Sequence, residues 1–510
     1  MKFNFFKFLH KRFQLIGWYT FIVYFIFFSI CWFNFIKAFV FNENYFPLRS
    51  YLVTFSNNEI LNNSKILKGI YNLAGYKAQI VTDIPYKLID DLYYFISVTA
   101  LLVLFFAGYK AVKAFDIKQN SIINWSLIFS FLMAFTIPNN SSDLYGYIAR
   151  GAQQSIFNVN PYFHSVSEID KYNLNPMFAN FMWTNQPTSY GPLFIGLCRA
   201  ITMLSNNDFF TSLVNFKLLN LTVVYLFLLF LQRSNFSKEA VYLISWNPLV
   251  MIHGLWNCHN DLISGILIFC GFYLLVKAIN DLQKINIHFF IGSFCLMISI
   301  GIKYLALITL PIIFTSVIKE KTNFKSLLYL SAGVISGLLL IGVFLIPYFE
   351  INGFNNLEKI ITNINLMHKS LISTLYSFFN YLLGWLQISF DKQFLRECIK
   401  NVIYFGYLIF YLWIVCRKRN DLIFDSVLVI FVFLCFTISK FHSWYLLNLI
   451  FLIPILSERD SKSKMLGTLL MFLSLTHSYS ITFIDQAKIL NFIIMTLIPV
   501  IFVLIKSRRK

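Results

Sequence analysis

Apolar runs separated by short polar segments fill almost the whole chain. Most are about 17–25 residues long, the length a helix needs to cross the hydrocarbon core of a bilayer. Fourteen spans are predicted: 17–40, 92–114, 122–138, 214–231, 239–257, 261–279, 287–302, 304–318, 326–348, 400–416, 422–439, 442–457, 465–482 and 488–506. The pattern defines an all-α polytopic integral membrane protein of about 13–14 transmembrane helices, forming a single domain over 1–510. The first run is too long for a signal-peptide core, and no small-residue cleavage site follows it, so it reads as a retained span. "LFIGLCRAITML" (193–204) is too short to cross, and counting it as a span would invert every later loop. It reads instead as a re-entrant or juxtamembrane helix, as does "YSFFNYLLGWLQISF" (376–390).

Composition agrees with the pattern: 58% hydrophobic and 13% charged residues leave too little polar surface for a soluble protein of 510 residues. The net charge of +19 would suggest nucleic acid in a soluble protein. Here the basic residues gather in loops 109–121, 232–238, 319–325, 417–421 and 458–464 and at both ends. That is the distribution of cytoplasmic loops, so both termini are placed inside and no nucleic-acid partner is expected. Three long segments then face outward: 42–91, 139–213 and 349–399. The eight cysteines form no CxxC pair, and neither a disulfide nor a metal site is assigned.

The outward segments and turns hold residues that sit badly with lipid. Asp143, Tyr145, Arg150 and Tyr190 lie in the second outer segment; His259, Asn260 and Asp261 form one turn; Lys303 interrupts an apolar stretch; Lys440, His442 and Tyr445 surround another turn. Ionisable residues at the membrane edge are costly and mark function. Carboxylates can serve as general bases and cations can hold an anion. The combination suits transfer of a sugar from a polyprenyl phosphate: the phosphate already leaves well, so the enzyme needs a base for the acceptor hydroxyl and cations for the departing group. No cofactor and no divalent metal is required.

Each residue also has a plainer reading. Asp143 could cap a helix, although Ser142 can do so instead. His259-Asn260-Asp261 could be a polar turn, and Lys303 a snorkelling anchor. Arg150 fits a helix end before Gly151 slightly better than a phosphate contact. Asn160-Pro161-Tyr162 and Tyr190-Gly191-Pro192 read as turns. Trp183, Trp246 and Trp444 read as interfacial anchors.

Four segments together resemble the bacterial polyprenyl-phospho-mannose-dependent mannosyltransferases of the GT-C superfamily, the α-1,6-mannopyranosyltransferase-like family. They are "SSDLYGYIARG…NVNPYF…SYGPLF" (141–194), "WNPLVMIHGLWNCHNDLISG" (246–265), "IKYLALITLP" (302–311) and "HSWYLLNL" (442–449), in the family's order. The resemblance implies a GT-C-like fold, a site facing the periplasm or exterior of the plasma membrane, and a lipid-phosphate hexose donor, with mannose the first candidate. It implies Asp143 as catalytic base and puts Lys303 and the His442 region near the donor phosphate. The remaining named residues would contact substrate, and the acceptor would be a glycan or a lipid-linked glycan. A flippase or transporter, and a ligase or polymerase using a diphosphate donor, are the competing readings.

Overall fold

The computed structural model describes residues 2–41, 86–138, 141–178, 180–280, 287–319, 324–349, 370–418, 421–479 and 492–508. Helices account for nearly all regular structure in them, and no strand occurs among the described residues. In lipid a helix satisfies its own backbone donors and acceptors, so apolar runs have no other open-chain solution. The α-helices are α1 (Lys2–Phe41), α2 (Tyr86–Ala114), α3 (Gln119–Ala134), α4 (Asp143–Ser155), α5 (Pro192–Leu204), α6 (Phe209–Arg233), α7 (Lys238–Ser245), α8 (Asp261–Asn280) and α9 (Ile287–Ile302). They continue as α10 (Leu310–Lys319), α11 (Phe324–Leu345), α12 (Leu371–Trp385), α13 (Lys392–Cys416), α14 (Leu422–Val432), α15 (Leu447–Ile450), α16 (Ile453–Ser457), α17 (Ser461–His477) and α18 (Ile498–Arg508).

Among the described residues, six of the predicted spans are continuous helices long and apolar enough to cross a membrane, those of α1, α2, α6, α8, α11 and α13. Others are shorter or broken, for local reasons. The run 239–257 is not one helix. Pro248 supplies no N–H, and the Asn247 side chain accepts the Leu249 N–H at 3.0 Å, so α7 stops at Ser245 and the chain resumes as a π-helical turn, Val250–Trp256. The run 442–457 splits into a 3-10 turn, Ser443–Leu446, followed by α15 and α16. The run 304–318 begins as 3-10 helix, Tyr304–Thr309, because Lys303 is extended at φ −150°. The outward segment 349–399 is shorter than the sequence implies. Asp391 caps α13 through the Gln393 and Phe394 N–H groups, so the helix starts at Lys392 and not near 400. Residues 42–85 and 350–369 of the outward segments lie outside the described residues.

α8 packs on α9, α9 on α11, and α4 on α5. Hydroxyls tie the first two contacts: Ser264 and Ser299 meet at 2.9 Å, and Ser293 donates to the Leu330 carbonyl at 3.0 Å. Lys217 of α6 is buried, and its ammonium donates to the carbonyls of Thr136, Leu255 and Trp256 at 2.8, 3.3 and 2.6 Å. That clasp ties together the ends of two segments, one leading to Asp143 and the other to His259.

Gly151 does not end a helix. It sits inside α4, where a Cβ would collide with Thr202 and the Cys198 carbonyl of α5. Gly151→Val should therefore force the two helices apart and cost roughly 1–3 kcal/mol. The expected readout is a lower melting temperature of the detergent-purified protein, with Gly342→Val, at a position with open space around it, as the unaffected control.

Candidate active site

Four segments converge: the start of α4, the turn between the π-helical segment and α8, the residue after α9, and the stretch 440–448. The first begins with Ser141, whose hydroxyl accepts the Asp143 N–H at 3.2 Å, and α4 starts at Asp143. The Ser142 side chain makes no capping bond. The Asp143 carboxylate points across to the second segment, where Oδ2 lies 3.1 Å from His259 Nδ1. The carboxylate retains 17% exposure, while the His259 ring is fully buried.

The 257–261 turn is held in an unusual conformation. Cys258 has φ +58°, in the left-handed region that non-glycine residues seldom occupy. The His259 N–H reaches the His253 carbonyl at 3.1 Å. Tyr147, one turn along α4 from Asp143, locks the turn from the other side: its hydroxyl donates to Asn260 Oδ1 at 3.2 Å and accepts the Asn260 N–H at 3.1 Å. Asp261 opens α8 fully buried, and its Oδ1 accepts from Lys303 Nζ at 2.5 Å and from Asn448 Nδ2 at 2.6 Å. The Lys303 ammonium also lies 4.1 Å above the Tyr445 ring.

The two carboxylates therefore differ. Asp261 is dry and tied to a lysine; Asp143 is partly open and tied to an imidazole. Burial on its own would raise the Asp143 pKa. The hydrogen bond and charge of His259, with the charges of Lys303 and Lys440, outweigh it and hold the carboxyl below its ordinary value. Lys440 is pushed down by burial, against the pull of Asp143, and its ammonium lies 4.1 Å over Trp183. Tyr190 is raised well above the usual phenol range, first by burial and then by the charge of Asp143. Its ring meets Tyr147 edge-on at 5.4 Å.

His442 lies against Trp444, with centroids 4.3 Å apart and planes 13° apart. The indole is thus a ring in the cluster and not a membrane-belt anchor, because it is packed between side chains. Trp246 is likewise not an anchor: it is 3% exposed and donates to the Ile122 carbonyl at 3.0 Å.

Two of the sequence candidates are not brought to the cluster. Tyr145 turns away, donating to the Pro138 carbonyl at 2.7 Å and stacking on Phe209. Arg150 is not a helix-end cap. It lies mid-α4, bonds Gln153 Oε1 at 2.8 Å and the Gln186 carbonyl, and sits over Phe181. Burial lowers its pKa to about 10. Sequence reasoning passed over Asn448, whose signal was its position three residues after Tyr445 on the same helical face. Among the described residues no three His, Cys, Asp or Glu side chains gather as they would around a metal ion.

A polytopic α-helical membrane protein with a paired acid–histidine and lysine cluster is the class that fold and site define. Residues 76–319 match the family described as alpha-(1->6)-mannopyranosyltransferase, N-terminal domain, the same family that the sequence motifs resemble. The chain is 24% identical over 221 residues to alpha-(1->6)-mannopyranosyltransferase A of Mycobacterium tuberculosis, covering 42% of this chain and 40% of that protein. It is 25% identical over 190 residues to the A enzyme of Corynebacterium glutamicum, covering 36% of each. It is 23% identical over 164 residues to the B enzyme of the same organism, covering 29% of this chain and 25% of that protein. The chain thus spans at most 40% of the length of these relatives. No solved structure matches it.

Proposed function

We propose that this chain transfers a hexose, mannose in the first instance, from a polyprenyl monophosphate to a hydroxyl of a glycan or lipid-linked acceptor on the outer face of the plasma membrane. The observation that carries the reading is the meeting of Asp143 and His259 at 3.1 Å beside Lys303 and Lys440. Asp143 takes the acceptor proton as the hydroxyl oxygen attacks the anomeric carbon. The carbon–oxygen bond to the phosphate breaks, and the phosphate leaves with the electron pair toward the lysines. One displacement inverts the anomeric centre. The Asp143 carboxylate is ionised throughout the neutral range and open enough to meet a substrate, which Asp261 is not.

The names of the relatives favour mannose and an α-1,6 linkage. The basic loops favour an outward site. Purified protein given polyprenyl-phospho-mannose and membrane acceptors is expected to release polyprenyl phosphate and make mannosylated product. Turnover with only diphosphate-linked donors would select the ligase reading. Lipid reorientation without release would select the flippase.

A further inference from the structure

Trp444 carries an imidazole on each face. His259 lies 4.1 Å from it with planes 11° apart, and His442 lies 4.3 Å from it at 13°. Two near-parallel rings, each about 4 Å from one centroid, fit only on opposite faces. His253 tilts against both Trp444 and His259, at 5.8 Å and 46° in each case. The fully buried His259 ring touches Asp143 through Nδ1, while its Nε2 has no hydrogen-bond partner in the protein. Its orientation is therefore set by Asp143 on one edge and by the indole face. A ring with one hydrogen bond can swing about that bond; a flat neighbour at 4 Å removes the freedom.

We infer that Trp444 is a positioning residue that acts through His259: it holds the imidazole so that Nδ1–H donates to Asp143, and it couples this contact to the loop bearing Lys440 and His442. His259 then belongs with the base and not with the donor phosphate. The inference rests on Asp143 acting as the base. The charged and titratable groups facing Asp143 are His259, Lys303 and Lys440, with Tyr147, Tyr190 and Tyr445 around them. Losing the Nδ1–H donor would leave burial less opposed, so Asp143 would take up a proton at higher pH.

The test uses the full chain in lipid nanodiscs. The Asp143 carboxyl is titrated by infrared difference spectroscopy, with Asp143→Asn as the blank, and turnover of polyprenyl-phospho-mannose is followed against pH. Trp444→Ala is expected to move the Asp143 midpoint and the acid limb of kcat upward by about one pH unit, a tenfold change in proton affinity. It should lower kcat about tenfold with KM for the donor changed less than twofold. Trp444→Phe keeps a flat face and His259→Gln keeps an N–H donor, so both should fall between Trp444→Ala and the parent. Either one keeps the test usable if the alanine variant does not fold. A midpoint that stays put in these variants, whether or not kcat falls, overturns the inference. A midpoint that shifts in the variants while the parent turns over no sugar donor would sink the transfer reading and leave the positioning of His259 against Asp143 standing.

Discussion

Asp143→Asn is expected to lower turnover about a hundredfold or more, the usual contribution of a positioned base. The substitution keeps size and shape and can still hydrogen-bond to His259, so the protein should melt close to the parent and bind donor normally. Single-turnover release of polyprenyl phosphate, measured beside donor binding, checks both halves. Retained turnover would move the base elsewhere, and Asp261, the other carboxylate in the cluster among the described residues, would have to leave its contacts with Lys303 and Asn448 to serve. The pH dependence has a defined sign. The Asp143 pKa is lowered, so its ionised form persists below the ordinary carboxylate range of about 4. Parent activity should therefore hold as pH falls from neutrality to about 5 and decline only as it passes through the lowered value. Any stability from the His259 contact follows the same course: present above the unfolded-state pKa, lost as pH falls through the folded one.

Lys303→Met should produce the second large effect, for a different reason. It leaves the fully buried Asp261 with Asn448 as its remaining partner, and breaking such a pair from one side costs about 3 kcal/mol. The expected result is a lower melting temperature together with lost turnover. Adding Asp261→Asn removes the stranded charge. The double variant should recover most of the stability and none of the turnover, since the phosphate still lacks its cation. Melting curves and donor turnover on the four proteins of the cycle separate the two roles. Recovery of activity in the double variant would show that Lys303 serves the fold alone.

The fold was legible because lipid leaves a chain few choices. Apolar runs of spanning length announce α1, α2, α6, α8, α11 and α13 with little competition. The interruptions were harder, since Pro248 and the extended Lys303 act over one or two residues inside otherwise apolar sequence. At the site, Asp143, Asp261 and Lys303 stand out against their surroundings because charge near lipid has few bland explanations. Trp444 did not, because an indole near a span end fits the interfacial belt equally well; only the folded chain sets it between two imidazoles. Arg150 was misread through its neighbour. Gly151 looks like a helix stop, but its missing side chain makes room for α5, a helix about fifty residues later in the chain.

The Lys217 clasp bears on biogenesis. A lysine close to the end of a nascent span costs less to pass into the bilayer than one at its centre, about 3 kcal/mol, but still opposes release while its ammonium has no partner. Two of the three carbonyls that receive this ammonium belong to Leu255 and Trp256, 38 and 39 residues downstream. α6 is therefore poorly suited to settle alone, and its lateral release is favoured once the π-helical segment has emerged. Synthesis would then deliver the two helices as a pair, with the His259 turn already drawn toward the Asp143 segment before the rest of the bundle closes.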